Sequence, residues 1–388
     1  MGYFKIKGKL VIVFLLLGGL NLFASSYEEF LKEQNSQYTQ YKDNINKEFK
    51  AYKKAYDDAF NEFKAELKVK WPEKKPKITT KHKWVEYSKN LNQRKTVDFE
   101  KEEINLEVIA KTEAEAKKKI DKMFNDVVTQ DISSAFKNDI LEQKIVKKLK
   151  KRQPIIKSRQ KIIANILNNE QKKQLKKRIN TQKLVVKKYQ GKFIYKANVK
   201  LPSNSTVKKA KQFKSNVVKS ANKEKIPASL VYAIMHSESS FNPMARSHIP
   251  AYGLMQIVPR TAGIDSYKYL YKKKKLLSSS YLYNSKQNIK IGSAYLHILY
   301  YRYLKKIKDP QSRLYCAIAA YNTGAGNVAK AFIGNTNINK ASVTINKMNA
   351  DEVYKRLMKK LPYNETKHYL KKVTNRVSAY NKLLKTTL

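Results

Sequence analysis

The chain contains very little cysteine, since Cys316 is the single copy among 388 residues. One thiol can form neither an intramolecular disulfide nor a multi-cysteine metal site. The few histidines show none of the spacings typical of zinc ligands. They are His82, His236, His248, His297 and His368. No glycine-rich phosphate loop and no Ser-His-Asp arrangement is evident either. The sequence therefore predicts no metal and no cofactor.

Acidic residues are scarce beside basic ones, with 31 Asp and Glu against 81 Lys and Arg and a formal net charge of +50. Such a surface attracts polyanions, so nucleic acid has to be considered as a partner. The lysines are spread along the whole chain instead of forming one dense arm, which argues against nucleic-acid binding. Anionic membrane head groups and cell-wall polymers are the favoured partners. The sequence indicates no oligomeric state.

A long hydrophobic run is also missing, because the apolar stretch at residues 10–23 is too short to span a membrane comfortably. Lysines precede this stretch, and the small residues 24–26 follow it, as in secretory signal peptides. We predict a signal peptide over residues 1–26, with an uncleaved anchor as the alternative. Export of the Sec type to the periplasm would follow. No cysteine follows the apolar run, so lipid attachment is not indicated.

The next segment, residues 27–72, has the pattern of one long amphipathic helix. Aromatic and aliphatic side chains from Tyr38 to Leu67 recur at spacings of three and four, with charged residues between them. One interpretation is a helix that binds a membrane surface or a partner. The other, which we favour, is a helix that packs on its own domain.

Residues 73–203 mix strand and helix patterns. Alternating stretches at 96–99 and 104–108 predict a hairpin, and Gln190-Gly191 marks the turn of a second one. Helices are predicted at 112–124 and 158–175. Beyond a boundary near residues 201–205 the pattern becomes almost entirely helical through residue 388. We therefore predict an α+β accessory domain over 73–203, followed by a mainly α domain over 204–388.

Glu238 is the most informative residue in the helical region. It lies near the end of an apolar helix and shares a face with Val231, Ile234 and Met235, which lie seven, four and three positions earlier. A carboxyl group among aliphatic side chains has a raised pKa, because desolvation disfavours the ion. A general acid needs such a pKa near neutral pH. A lone glutamate at this position is more often structural, so the surrounding residues have to decide.

Three motifs around and after Glu238 resemble those of the lytic transglycosylases of the soluble-lytic-transglycosylase (SLT) family. The first is Glu-Ser-Ser-Phe-Asn-Pro from Glu238, followed by Gly-Leu-Met-Gln from Gly253. The second is Ala-Tyr-Asn-x-Gly-x-Gly from Ala320, and the third is Pro-x-x-Glu-Thr-x-x-Tyr from Pro362. Three motifs in this order form a specific signal over the C-terminal region. Shorter matches extend into the accessory domain.

The resemblance implies a lysozyme-like fold for the catalytic domain and a role for particular residues. Glu238 would be the catalytic acid, with Ser247 beside it as a hydrogen-bonding orienter. The remaining substrate-binding residues would line a glycan groove: Met255, Gln256, Tyr321, Asn322 and Tyr369. Tyr252 replaces a more usual aliphatic residue, and we expect it to narrow or extend a subsite.

The resemblance also implies the reaction, which is cleavage of the β-1,4 bond between N-acetylmuramic acid (MurNAc) and N-acetylglucosamine (GlcNAc) in peptidoglycan. The product would be a 1,6-anhydro sugar, and no cofactor would be needed. Two alternatives stay open. The first is a hydrolytic, lysozyme-like muramidase that uses a second carboxylate such as Asp265. The second is a non-catalytic protein that binds the wall or another polyanion.

Overall fold

The chain divides into two units, Met1–Lys50 and Ala51–Leu388, in a computed structural model. The structure describes residues 20–73, 75–163, 166–202 and 205–386, with side-chain surroundings from residue 43 onward. The predicted signal peptide therefore lies outside the described residues up to position 19, as do positions 203 and 204 of the predicted domain boundary. In the described part, no helix is both long enough and apolar enough to cross a membrane.

The N-terminal part combines helices with one antiparallel sheet. Its elements are α1 (Leu20–Lys70), β1 (Lys83–Tyr87), β2 (Gln93–Asp98), β3 (Glu103–Ala110), α2 (Glu113–Thr129), α3 (Ile132–Asn138), α4 (Ile140–Lys148), α5 (Asn169–Thr181), β4 (Val185–Tyr189) and β5 (Lys192–Lys200). The strands lie in the order β1-β2-β3-β5-β4. Both predicted hairpins are present, and Gln190 and Gly191 turn the second one with positive φ angles of 47° and 72°.

The C-terminal part is helical throughout its regular structure. Its elements are α6 (Ser205–Lys211), α7 (Lys214–Glu224), α8 (Ala228–Ser239), a π-helical turn (Pro259–Gly263), α9 (Ile264–Tyr271), α10 (Ser279–Tyr283), α11 (Ser285–Ile298), a second π-helical turn (Leu299–Tyr303), α12 (Pro310–Thr323), α13 (Ala325–Ile333), α14 (Ile338–Ile345), α15 (Ala350–Lys360) and α16 (Asn364–Thr386). The predicted fold class, α+β followed by mainly α, is confirmed.

Both faces of the sheet are covered, because successive side chains of a strand point to opposite faces. Val108 on β3 and its partner Tyr195 on β5 face the core that contains α2. Ile109 and its partner Ile194 face the other way, into a second core formed with α1. The sheet is thus a central layer between α1 and the remaining helices.

The described side chains of α1 from Tyr52 onward pack on the chain's own second unit. Tyr56 is 1% exposed and Leu67 is fully buried. Trp71, the last buried residue of this series, donates from its indole nitrogen to the carbonyl of Leu91 at 2.9 Å. For this part of α1 the favoured interpretation, packing on its own domain, is what the structure shows. Among the tyrosines whose side chains the structure describes, Tyr56 is a core residue and Tyr52 is partly buried beside it.

The helix predicted at 158–175 begins later than expected. Lys161 forms a β-bridge with Asp131, and the amide of Ile162 donates to the carbonyl of Gln130, so this stretch is held as irregular chain. Asn168 then caps α5 in a capping box with Gln171. The apolar pattern correctly indicated burial, but tertiary contacts replaced the helical hydrogen bonds.

A buried ion network fixes the loop that follows α8, residues 239–256, which we call the motif loop. The guanidinium of Arg246 lies 3.2 Å from Asp139 and 3.3 Å from Glu142 at the start of α4. Glu142 also accepts from the hydroxyl of Ser279 at 3.0 Å. Burial, only partly offset by Arg246, raises the pKa of Glu142 to about 7. The network ties the motif loop to the accessory region.

We expect Arg246→Met to destabilise the protein by about 3–5 kcal/mol, because it leaves Glu142 as a buried carboxylate without a cation. The loss should be smaller at about pH 5 than at about pH 8, since Glu142 can be protonated at the lower pH. Urea unfolding followed by the fluorescence of the buried Trp71 and Trp84 measures it.

The matched control is Lys53→Met, which removes an exposed ion pair with Asp57 and should cost about 1 kcal/mol or less. Equal losses in the two variants would contradict the role of the Arg246 network.

Candidate active site

Glu238 lies at the penultimate position of α8, on the helix face that the sequence predicted. Val231, Ile234 and Met235 are fully buried on that face, and Glu238 itself is 4% exposed. The helix ends sooner than the predicted Asn-Pro stop, because Ser240 adopts the left-handed conformation with a φ of 51°. The carboxyl group is therefore held inside the protein at a helix end.

Left-handed backbone recurs around this carboxyl group in residues other than glycine. Phe241 has a φ of 66° and Gln256 a φ of 47°. Ser239 holds the loop in shape, because its hydroxyl lies 2.9 Å from the carbonyl of Met235 and 2.8 Å from that of Leu254. Such strained conformations persist only where the surroundings enforce them, and they cluster at functional sites.

The electrostatics of Glu238 favour a protonated acid. Desolvation by burial raises its pKa, and a salt bridge of 3.5 Å from Lys81 Nζ to its Oε2 partly offsets that effect. The hydroxyl of Tyr369 also lowers the pKa, while the charge of Glu365 raises it. The net pKa lies above the ordinary value for glutamate, as a general acid requires.

Two tyrosines from the second and third motifs lie close to this carboxyl group. The charge of Glu238 and burial together raise the pKa of both Tyr321 and Tyr369, so both hydroxyls stay protonated. Tyr321 donates to the carbonyl of Met255 at 2.8 Å. The buried hydroxyl of Tyr369 interacts with Glu238 but completes no hydrogen bond of regular geometry with a described residue.

Gln256 and Met255 lie in the same wall. The amide nitrogen of Gln256 donates to the carbonyl of Gly253 at 3.0 Å, and its buried amide oxygen has no hydrogen-bond partner among the described residues. That oxygen is an acceptor available to a ligand. Met255 is fully buried and would clash with any side chain added at Gly292, so it supports the wall from behind without offering an exposed surface.

Asn322 links the second motif to the third, since its side-chain oxygen accepts from the hydroxyl of Thr366 at 2.7 Å. Thr366 begins the part of α16 that carries Tyr369. The structure thus brings Glu238, Gln256, Tyr321, Asn322 and Tyr369 into one connected site. Their roles toward a substrate stay predictions.

The hydroxyl of Ser247 forms no hydrogen bond to Glu238 in the structure, unlike the role that the resemblance implied. Its hydroxyl is engaged inside the motif loop, donating to the carbonyl of Ile249 and accepting from the amide of Ala251. The group beside the Glu238 carboxylate is Lys81.

The sequence predicted that Tyr252 would narrow or extend a subsite, but the structure places it inside the protein. It is fully buried, its hydroxyl bonds that of Tyr52 on α1, and its ring packs edge-on against Tyr283. The tyrosine hydroxyl forms a hydrogen bond to α1, and an aliphatic side chain at this position could not form one. Tyr252 therefore joins the motif loop to α1.

Lys81 is the site residue that sequence reasoning missed. It lies in a short irregular segment, residues 78–82, which we call the Lys81 segment, just before β1. No local signal distinguishes this lysine from the many others in the chain. In the described part of the chain, no group of three or more His, Cys, Asp or Glu side chains could hold a metal ion.

Comparison with known proteins shows what this part of the chain is similar to. Residues 215–344 match the family model of the transglycosylase SLT domain. The match includes the first two of the three motifs that resemble this family, while the third motif begins beyond it, at Pro362.

Curated proteins with similar sequences match over longer stretches than the family model. Membrane-bound lytic murein transglycosylase C of Serratia proteamaculans is 42% identical over 189 residues, which are 49% of this chain and 52% of the relative. The protein of the same name from Yersinia pestis is 41% identical over 184 residues, 47% of this chain and 51% of the relative. The chain spans about half the length of the curated relatives it matches.

Solved structures with partial similarity include an inactive mutant of the lytic transglycosylase Slt of Pseudomonas aeruginosa. It is 24% identical, with a TM-score of 0.35, over 45% of this chain and 25% of that one. The 70-kDa soluble lytic transglycosylase of Escherichia coli is 15% identical, with a TM-score of 0.36, over 70% of this chain and 44% of that one.

Gly253 in the motif loop provides a test of how tightly the site is built. Its φ is +74°, and an added Cβ would lie 2.4 Å from Asn288 Nδ2 and 2.5 Å from the carbonyl oxygen of Leu282. Asn288 could not give way freely, because it holds the motif loop through the amide of Met255 at 2.8 Å. We therefore expect Gly253→Ala to destabilise the motif loop and to lower the midpoint of thermal unfolding.

The matched control is Gly334→Ala. Gly334 has a similar φ of +73° but open space around its added Cβ, so only the conformational cost of roughly 1–2 kcal/mol applies. If the two variants lost the same stability, close packing at Gly253 would not be the reason for its glycine.

Proposed function

We propose that this protein is a peptidoglycan lytic transglycosylase, which cleaves the β-1,4 bond between MurNAc and GlcNAc and forms 1,6-anhydro-MurNAc. The observation that carries the proposal is the buried carboxyl group of Glu238 with its raised pKa, which lies within the match to the transglycosylase SLT domain and close to Tyr369 of the third motif. The relatives that match at about 40% identity bear the name lytic murein transglycosylase. Cell-wall remodelling and turnover would be its role.

The first step uses Glu238 as the acid. Its proton passes to the glycosidic oxygen, the bond from that oxygen to the anomeric carbon of MurNAc breaks, and GlcNAc leaves with its 4-hydroxyl restored. The neighbouring N-acetyl group of the substrate helps to stabilise the positive charge at the anomeric carbon. Glu238 is now a carboxylate.

The second step uses the same group as the base. The 6-hydroxyl of MurNAc attacks its own anomeric carbon while Glu238 takes the proton from that hydroxyl. The 1,6-anhydro ring closes, Glu238 regains its starting state, and no water is consumed. Gln256 would offer its unpaired amide oxygen to a donor on the glycan, and Tyr321 and Tyr369 would set the orientation of the carboxyl group.

The hydrolytic alternative requires a second carboxylate that activates water. Asp265 is hydrogen-bonded to Tyr303 at 3.3 Å, and its charge acts on Tyr295. The charge of Glu238 acts instead on Tyr321, whose ring centroid lies 5.5 Å from that of Tyr295. This arrangement favours the transglycosylase over the muramidase.

The proposed location is the periplasm, after Sec-type export directed by residues 1–26. The charge of +50 would strengthen contact with anionic wall polymers and membrane head groups.

We expect Glu238→Gln to abolish release of muropeptides from purified sacculi while retaining glycan binding, because the amide cannot donate or accept the catalytic proton. Mass spectrometry of the wild-type products should show muropeptides one water lighter than hydrolysis products. Asp265→Asn is the matched control, and it should leave both rate and product mass unchanged. Products that carry the extra water, together with a loss of activity in Asp265→Asn, would establish the muramidase instead.

A further inference from the structure

We propose that Lys81, which lies in the accessory region, is a positioning residue that stabilises the anionic form of Glu238. This stabilisation allows the same carboxyl group to act first as the acid and then as the base. This inference rests on the proposed function. It starts from geometry, since Lys81 Nζ lies 3.5 Å from Glu238 Oε2, and the two residues are far apart in the chain.

The Lys81 segment is attached firmly to β1. The hydroxyl of Thr79 donates to the carbonyl of Val85 at 3.1 Å and accepts from its amide at 3.0 Å. The amide of Thr80 donates to the carbonyl of Lys83 at 2.9 Å. The sheet therefore determines where the backbone of Lys81 lies.

The opposite side of the segment is attached to the motif loop. The amide of Arg246 donates to the carbonyl of Thr80 at 3.3 Å, and the side chain of Asn242 donates to the carbonyl of Lys81 at 3.3 Å. His82 Nδ1 and the hydroxyl of Ser240 lie 3.1 Å apart. These contacts involve the backbone and neighbours of Lys81, so its ammonium group is left to face Glu238.

The chemistry explains why a cation is needed there. Glu238 begins protonated, but once it has protonated the leaving group it is a carboxylate whose side chain is only 6% exposed. A buried anion is costly unless a positive charge or hydrogen bonds compensate it. Lys81 supplies that charge during the interval between the two proton transfers.

Other charged and titratable groups face Glu238 but cannot take this role. Tyr321 on α12 and Tyr369 on α16 are neutral, and Glu365 on α16 carries the wrong sign. Arg376 on α16 donates to the hydroxyl of Ser237 at 2.9 Å. Lys81 is the cation paired with Glu238 among the described residues.

A cavity of about 350 Å³ has Lys81 in its lining, together with His82, Ser247 and His248. The side chain of Lys81 is 34% exposed, so it is partly open to solvent. Substitutions of its head group should therefore be tolerated by the fold.

The test compares Lys81→Gln and Lys81→Met with Lys81→Arg in the full-length protein, using release of anhydromuropeptides across a pH series. Activity requires protonated Glu238 and so falls as the pH rises through its pKa. Because Lys81 lowers that pKa, its removal should move the alkaline limb of the profile to higher pH. The neutral variants should also lose roughly tenfold in kcat, with glycan affinity unchanged, as for loss of a charged hydrogen bond.

Lys81→Arg should keep the wild-type limb, and Lys117→Gln, which removes an exposed ion pair with Glu113, should behave like the wild type. Neutral variants whose profile coincides with that of the wild type would overturn the inference. The inference would also be overturned if the alkaline limb of Lys81→Arg shifted as far as the limbs of Lys81→Gln and Lys81→Met. If the wild type releases no anhydro product, or if Glu238→Gln remains active, the proposed function itself fails.

Discussion

The structure depends on holding a carboxyl group out of water at the end of a helix. Burial of Glu238 raises its pKa, and every feature of the surrounding loop serves to keep it there. Ser239 bonds two carbonyls, and left-handed residues at 240 and 241 turn the chain sharply away after the carboxyl group. A helix that simply continued would carry the motif loop away from the tyrosines of α12 and α16.

The accessory region is part of the site's construction. Arg246 is buried between carboxylates of the α3–α4 region, Tyr252 bonds Tyr52 on α1, and the Lys81 segment bridges β1 and the motif loop. Each contact crosses between the predicted domains. The boundary near residues 201–205 stays a prediction, and one core of buried side chains includes residues from both sides of it.

Much of the fold was readable from local pattern. The strand alternation, the Gln190-Gly191 turn and the apolar face before Glu238 depend on neighbours within a few residues, and each appears where it was predicted. The helix expected at 158–175 was wrong over its first half because a β-bridge to Asp131 replaced helical hydrogen bonding. The subsite expected at Tyr252 was wrong because burial against α1 cannot be seen in a motif. Met255 likewise matched the motif but is buried behind the site.

The sequence by itself indicated the proposed chemistry, through one carboxyl group on an apolar helix face followed by two motifs of small, amide and aromatic residues. Those features are local, and their meaning follows from side-chain chemistry and helical periodicity. Only the tertiary structure decided which cation faces Glu238, what Tyr252 contacts and where Arg246 is paired. In so basic a chain, the sequence does not distinguish Lys81 from other lysines. The electrostatic effect of a lysine depends on its distance from other charges and on its burial, and both are set by the tertiary structure.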